Sequence, residues 1–102
     1  MSNIVNVSSS TTGAGSRGEI EHVRTDAYSL NFWNLRDLAK GDHHSNAYDI
    51  AIYVVAGTLH VYDETGEDRV IDAGDSVLIP AGTEYAMSSD SADLVEYRTT
   101  KG

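Results

Sequence analysis

Residues 50–82, IAIYVVAGTLHVYDETGEDRVIDAGDSVLIPAG, predict an all-β sandwich or barrel. Ile50 to Val55 is an unbroken apolar run rich in β-branched residues, the composition of a strand covered on both faces. Turn residues punctuate the stretch at Gly57, Asp63 to Asp68, Ala73 to Asp75 and Pro80 to Gly82. Short strands interrupted at roughly 8- to 12-residue spacing are the pattern of an antiparallel barrel or sandwich.

The elements follow in order. Residues 1–18 contain a dense Ser/Thr/Gly block from Ser8 to Gly18, too polar to offset its ordering entropy, and are expected to form a flexible tail. Residues 19–102 are expected to form one barrel domain. Glu19 to Arg24 alternates weakly and reads as an edge strand. Tyr28 to Leu35 is aromatic-rich and strand-like, with Tyr28, Leu30 and Phe32 on one face and Trp33 and Leu35 on the other. Arg36 to Lys40 suggests one helical turn ended by Gly41. Ile50, Ile52 and Val54 are expected to point inward, which leaves Ala51, Tyr53 and Val55 needing a cover. Gly57 is expected to end that strand. In the next, Leu59 and Val61 point inward, with His60 and Tyr62 outside. Arg69 to Ile71, Ser76 to Ile79, a segment holding Tyr85 and Met87, and Leu94 to Arg98 complete the set.

Bulk composition excludes several functions. The chain has 102 residues, enough for one core, and no cysteine, so disulfides and thiolate metal sites are out. Its net charge of −9 argues against nucleic acid and anionic membranes as partners, because neutralising phosphates requires clustered Lys and Arg. No apolar run is long enough for a bilayer and no basic-then-apolar start is present, so the expectation is a cytoplasmic protein without membrane span or signal peptide. No GxGxxG or Walker pattern occurs.

Two short signatures resemble the cupin superfamily of double-stranded β-helix (jelly-roll) barrels. Tyr53-Val54-Val55-Ala56-Gly57 is similar to the end of that family's first motif, and Gly74-Asp75-Ser76-Val77-Leu78-Ile79-Pro80-Ala81-Gly82 to its second. The resemblance covers about forty residues well and implies a cupin-like barrel with a site at its mouth. In metal-binding cupins the two motifs supply histidines and a glutamate. Here the glutamate position is Ile50 and the second-motif histidine position is Tyr85. The paired-histidine stretch gives either His44 with Asn46 or His43 with Ser45. At most one of the usual ligands stands in place. Loss of the histidines with retention of the glycines and Pro-x-Gly resembles the metal-poor branch of ethanolamine-utilisation and ureidoglycolate-type cupins.

The expectations for function follow. The first is a metal-free pocket that binds or converts a small polar metabolite of sugar or carbonyl type, with His44 and Tyr85 as acid–base pair. Asn46 would bind substrate over an apolar floor of Ile52, Val54, Leu78 and Met87. No cofactor is expected. The alternative is a divalent metal (Fe, Mn, Zn or Ni) held by His43, His44, Asp49 and Tyr85 in a dioxygenase, isomerase or lyase. A third reading is a structural or dimerisation barrel with a filled interior. Whether the protein is an enzyme is left open by the residues. Apolar residues on both faces of strands 50–55 and 94–98 imply a homodimer, with Tyr53, Val55, His60 and Tyr62 as candidate contacts.

Overall fold

The computed structural model describes residues 2–5, 13–14 and 19–99. The expected flexible tail over residues 1–18 lies largely outside the described residues. Among the described residues, seven strands run in chain order: β1 Gly13–Ala14, β2 Ile20–Arg24, β3 Tyr28–Leu38, β4 Ile50–Tyr62, β5 Asp68–Asp72, β6 Ser76–Ile79 and β7 Ala86–Thr99. All pairings are antiparallel, in the order β1-β2-β3-β7-β4-β5, with β6 also on β4. No helix among the described residues is long and apolar enough to cross a membrane.

β4 organises the barrel. One edge pairs with β7 along almost its whole length. The other edge is shared: Ile50 to Tyr53 pair with β6, and Thr58 to Tyr62 with β5. Ile50, Ile52, Val54, Leu59 and Val61 are buried, so the expected inward set is the core. Gly57 does not end the strand. Pairing with β7 slips between Val54 and Ala56, leaving Val55 as an extra residue, and Gly57 carries the chain onward at φ 79°. This β-bulge lets one strand serve two partners on the same edge.

β3 corrects a second expectation. The Arg36 to Lys40 region is strand rather than helical turn as far as Leu38, because Arg36 and Leu38 pair with Ser91 and Ser89 of β7. Asp37, unpaired between them, takes φ 52°. The β3 alternation is as expected: Trp33 and Leu35 pack against the core, and Phe32 is exposed.

The outer face carries two apolar rows set by register. Ile20 pairs with Phe32, Phe32 with Val95, and Val95 with Tyr53. Leu30 pairs with Tyr97, Tyr97 with Ala51, and Ala51 with Leu78. Cross-strand partners share a face, so the rows are continuous across β2, β3, β7, β4 and β6.

The β4–β5 hairpin is held by Asp63. Its Oδ1 accepts from the Thr65 hydroxyl at 2.6 Å, the Thr65 amide at 2.9 Å and the Glu67 amide at 3.1 Å. Its Oδ2 accepts from Arg69 Nε at 2.9 Å. The Thr65 hydroxyl, then Arg69 and the two amides, hold the carboxyl below its ordinary 3.8, at about 2. The folded value lies below the unfolded one, so this carboxylate stabilises the fold fully above about pH 4, and the contribution is lost as pH falls towards about 2. The melting temperature of Asp63→Asn should therefore fall below wild type at pH 6, and the gap should close in acid. Thermal melts that show the same gap at both ends of that window would contradict the hairpin's role.

Candidate lumen site

The inner faces of β3, β4 and β7 and the segment from Leu38 to Tyr48 enclose a cavity of about 720 Å³. Its apolar wall is built from Trp33, Leu35, Ile52, Met87 and Leu94. Polar groups enter from two sides.

At the mouth, His44 and Tyr85 exchange both backbone hydrogen bonds at 2.9 Å, an isolated bridge outside the named strands. Paired this way, their rings lie 4.6 Å apart, tilted by 49°. Tyr85 is buried while His44 is exposed. The Tyr85 hydroxyl oxygen accepts from Asn46 Nδ2 at 2.8 Å. Burial pushes the Tyr85 phenol above its usual value, and only part of that is offset by the Asn46 hydrogen bond. Tyr85 is thus a neutral phenol at physiological pH, its oxygen acting as acceptor to Asn46 and its own proton free for donation.

Deeper in, β7 delivers Glu96 and Arg98, which the alternation places on the same face as Leu94. Glu96 is 4% exposed. Its Oε1 accepts from Arg98 Nη2 at 2.8 Å, Trp33 Nε1 at 3.3 Å and Asn31 Nδ2 at 3.4 Å. The Arg98 guanidinium lies over the Tyr48 ring, 4.9 Å from its centroid, and its buried Nε has no hydrogen-bond partner among the described residues. The lumen therefore holds a buried acid and a base in contact, ringed by the indole and a phenol.

The structure brings His44, Asn46, Ile52, Met87 and Tyr85 to one cavity. Val54 is fully buried in the core and does not line it. Leu78 is a correction. It is 66% exposed on the outer face, because Ile50 pairs with Ile79 and Ile52 with Val77, which turns Leu78 outward opposite Ala51. The residues of the alternative metal set are not all brought to the cavity. His43 Nε2 donates to the Asp63 carbonyl at 3.0 Å, tying it to the hairpin. Asp49 Oδ1 accepts from the Ala81 amide at 2.8 Å. Neither lines the cavity, and among the described residues no group of three or more His, Cys, Asp or Glu could hold a metal ion. The residues present do not fit the proposed His43/His44/Asp49/Tyr85 centre. Sequence reasoning missed Glu96 and Arg98. The available signal was their shared parity with the inward Leu94.

The class the fold defines is a small antiparallel β-barrel with an open lumen lined by apolar and charged side chains. Comparison with known proteins narrows it. A family model described as a cupin domain matches residues 34–97, more than half of the chain. The chain belongs to the cupin family. Its fold is similar to an RmlC-like cupin from Shewanella frigidimarina (TM-score 0.74, 20% identity, 88% of this chain and 85% of that one). It is likewise similar to KdgF from Halomonas sp. (TM-score 0.72, 20% identity, 89% and 86%). The polyketide cyclase RemF from Streptomyces resistomycificus superposes with TM-score 0.76 at 12% identity, over 96% and 80%. At these identities the likeness is one of fold. The search of curated proteins found no match.

Proposed function

We propose that the protein binds a small polar metabolite of sugar or carbonyl type in the lumen and acts on it by acid–base chemistry without a bound metal. One observation carries the reading: a cavity of about 720 Å³ that keeps Glu96, Arg98, Tyr85 and Asn46 together instead of being filled by apolar side chains. A barrel serving only as a scaffold gains more from apolar filling, since buried ion pairs are often no more stabilising than the hydrophobic residues that replace them. The apolar wall would cover the carbon skeleton, and the polar groups would orient its oxygens. In this reading Tyr85 donates its proton or a hydrogen bond to a substrate oxygen, with Asn46 fixing the phenol. His44, exposed beside it, exchanges protons with solvent. Glu96 stands ready as the acceptor on the far side, its Oε1 anchored by Arg98, Trp33 and Asn31.

The test is a thermal-stability screen against a metabolite and metal library, because only a ligand of the native state raises the melting point. Trp33 is the single tryptophan and lines the lumen, so its emission reports occupancy independently. A hydroxylated or carbonyl compound should raise Tm and shift Trp33 emission, with both effects weakened in Asn46→Ala and Tyr85→Phe. Compounds that raise Tm with no change at Trp33 would place the site elsewhere. Chelation should leave Tm unchanged. Elemental analysis of untagged protein finding Fe, Mn, Ni or Zn near one per chain, lost on changing both His43 and His44 to Ala, would replace this reading with a metal-dependent one.

A further inference from the structure

The lumen is charged unevenly. Asp42 and Glu96 both line it, while Arg98 is the one Lys or Arg among the described residues that do. Glu19 adds a further carboxylate to the wall. The chain as a whole carries −9, so the field of the rest of the protein has the same sign. Glu96 is also only half used. Its side chain is 5% exposed, and the three donors it meets, on Arg98, Trp33 and Asn31, all bond to Oε1. Oε2 takes no hydrogen bond among the described residues, although each carboxylate oxygen has lone pairs to offer. Nor is it walled in: the side-chain atoms both fully enclosed and unpartnered there are Asp93 Oδ1 and Arg98 Nε. A deeply placed carboxylate oxygen therefore opens on the cavity without a donor.

We infer that the metabolite held in the lumen carries an ammonium group, as an amino sugar or amino alcohol does, and that Glu96 Oε2 is the acceptor that selects it. The inference rests on the lumen being the binding site and names the substrate class within that reading. An ammonium brings both the missing donor and a charge that offsets the carboxylates. A neutral hydroxyl brings the donor alone. A carboxylate would meet Oε2 and Asp42 as like charges, with Arg98 Nη2 already held by Oε1 at 2.8 Å. The aromatic wall acts in the same direction. Arg98 itself lies against the face of Tyr48, and Trp33 and Tyr85 present further rings to the same space. Ring faces attract cations and repel anions.

Trp33 emission of the full chain, titrated at neutral pH with probes matched in skeleton and differing in charge, tests the inference. Glucamine, sorbitol and gluconate form one set on a linear polyol. Cyclohexylamine, cyclohexanol and cyclohexanecarboxylate form a second on a ring. The amine should bind about tenfold or more tighter than the alcohol and the acid of its set. Glu96→Gln removes the negative charge and leaves Arg98 uncompensated, so it should reverse the order and make the acid the tightest binder. A purely structural role would weaken all three alike. Asp42→Asn, exposed at the rim, should narrow the amine's preference roughly two- to threefold. Circular dichroism checks that each variant is folded, and the exposed Asp42 variant guards against a Glu96 variant that is not. Where neither set moves Trp33, the comparison passes to the metabolites from the stability screen that do. An alcohol or acid binding as tightly as the amine, lumen ligands without positive charge, or an order unchanged in the folded variants overturns the inference and leaves the lumen as the site. If no compound of any charge moves Trp33, the lumen reading falls and the inference with it.

Discussion

Replacing Gly57 by alanine should destabilise the protein by about 2–4 kcal/mol, the sum of a backbone penalty and a steric one. Gly57 holds φ 79°, a region that residues with a Cβ occupy at a cost of roughly 1–2 kcal/mol. A Cβ built there would also collide with the Ser91 carbonyl oxygen and lie 2.8 Å from its carbon and 3.0 Å from Ala92 Cα. The obstacle is backbone on β7, which cannot rotate away. Relief would require opening the β4–β7 ladder at its bulge, where Ala92 is buried. A urea unfolding series reads this as a clear fall in the midpoint at unchanged slope. A midpoint within error of wild type would show that the bulge tolerates a side chain, and the account of how β4 turns between its two partners would be wrong.

Glu96→Ala should be nearly as costly. Truncating one member of a buried ion pair costs about 3–5 kcal/mol when the other charge is left uncompensated. Arg98 retains 30% side-chain exposure and so stays partly solvated, which puts the expected cost below that range, at about 2–3 kcal/mol. The truncation strands Arg98 and Trp33 Nε1 and leaves Asn31 Nδ2 with only the Ser29 hydroxyl as acceptor. Glu96→Gln keeps an oxygen for Trp33 and Asn31 and should cost less, about 1–2 kcal/mol. The double change Glu96→Leu with Arg98→Met removes both charges for similar volume and should be close to neutral or stabilising. Chemical denaturation gives the order. Loss of Trp33's ligand-induced emission change in the stable double variant would separate the pair's part in binding from its part in folding. Equal stability of Glu96→Ala and wild type would show that the pair is not coupled to the fold.

Much of this architecture was legible without coordinates, and the failures share a form. Strands were readable wherever alternation was strong, as in Thr58 to Tyr62, whose Leu59 and Val61 are buried as expected. Ser76 to Ile79 has apolar residues at three consecutive positions, so no period distinguishes its faces, and Leu78 lies on the outer one rather than in the lumen. Leu94 to Arg98 misled in the opposite way. Charged residues ordinarily face solvent, yet Glu96 and Arg98 point inward because each neutralises the other. Arg36 to Lys40 has good helix formers, and pairing with β7 outweighed that local preference as far as Leu38.

By itself the sequence determined the class of fold, the turns that follow Tyr62, Asp72 and Ile79, and the inward rows of β4, because these depend on local stereochemistry and on a period of two that survives without any partner strand. Its resemblance to the cupin motifs implies that Tyr85 stands where a metal-binding cupin has histidine. The tertiary structure alone decided which of two apolar faces is the lumen side of β6, that Gly57 bridges rather than breaks, and that Glu96 and Arg98 meet Trp33 inside the barrel. Each of those depends on register between strands distant in sequence. Register shifts by one residue exchange the two faces of a strand, and no local pattern in a uniformly apolar or paired-charge segment records which choice was made.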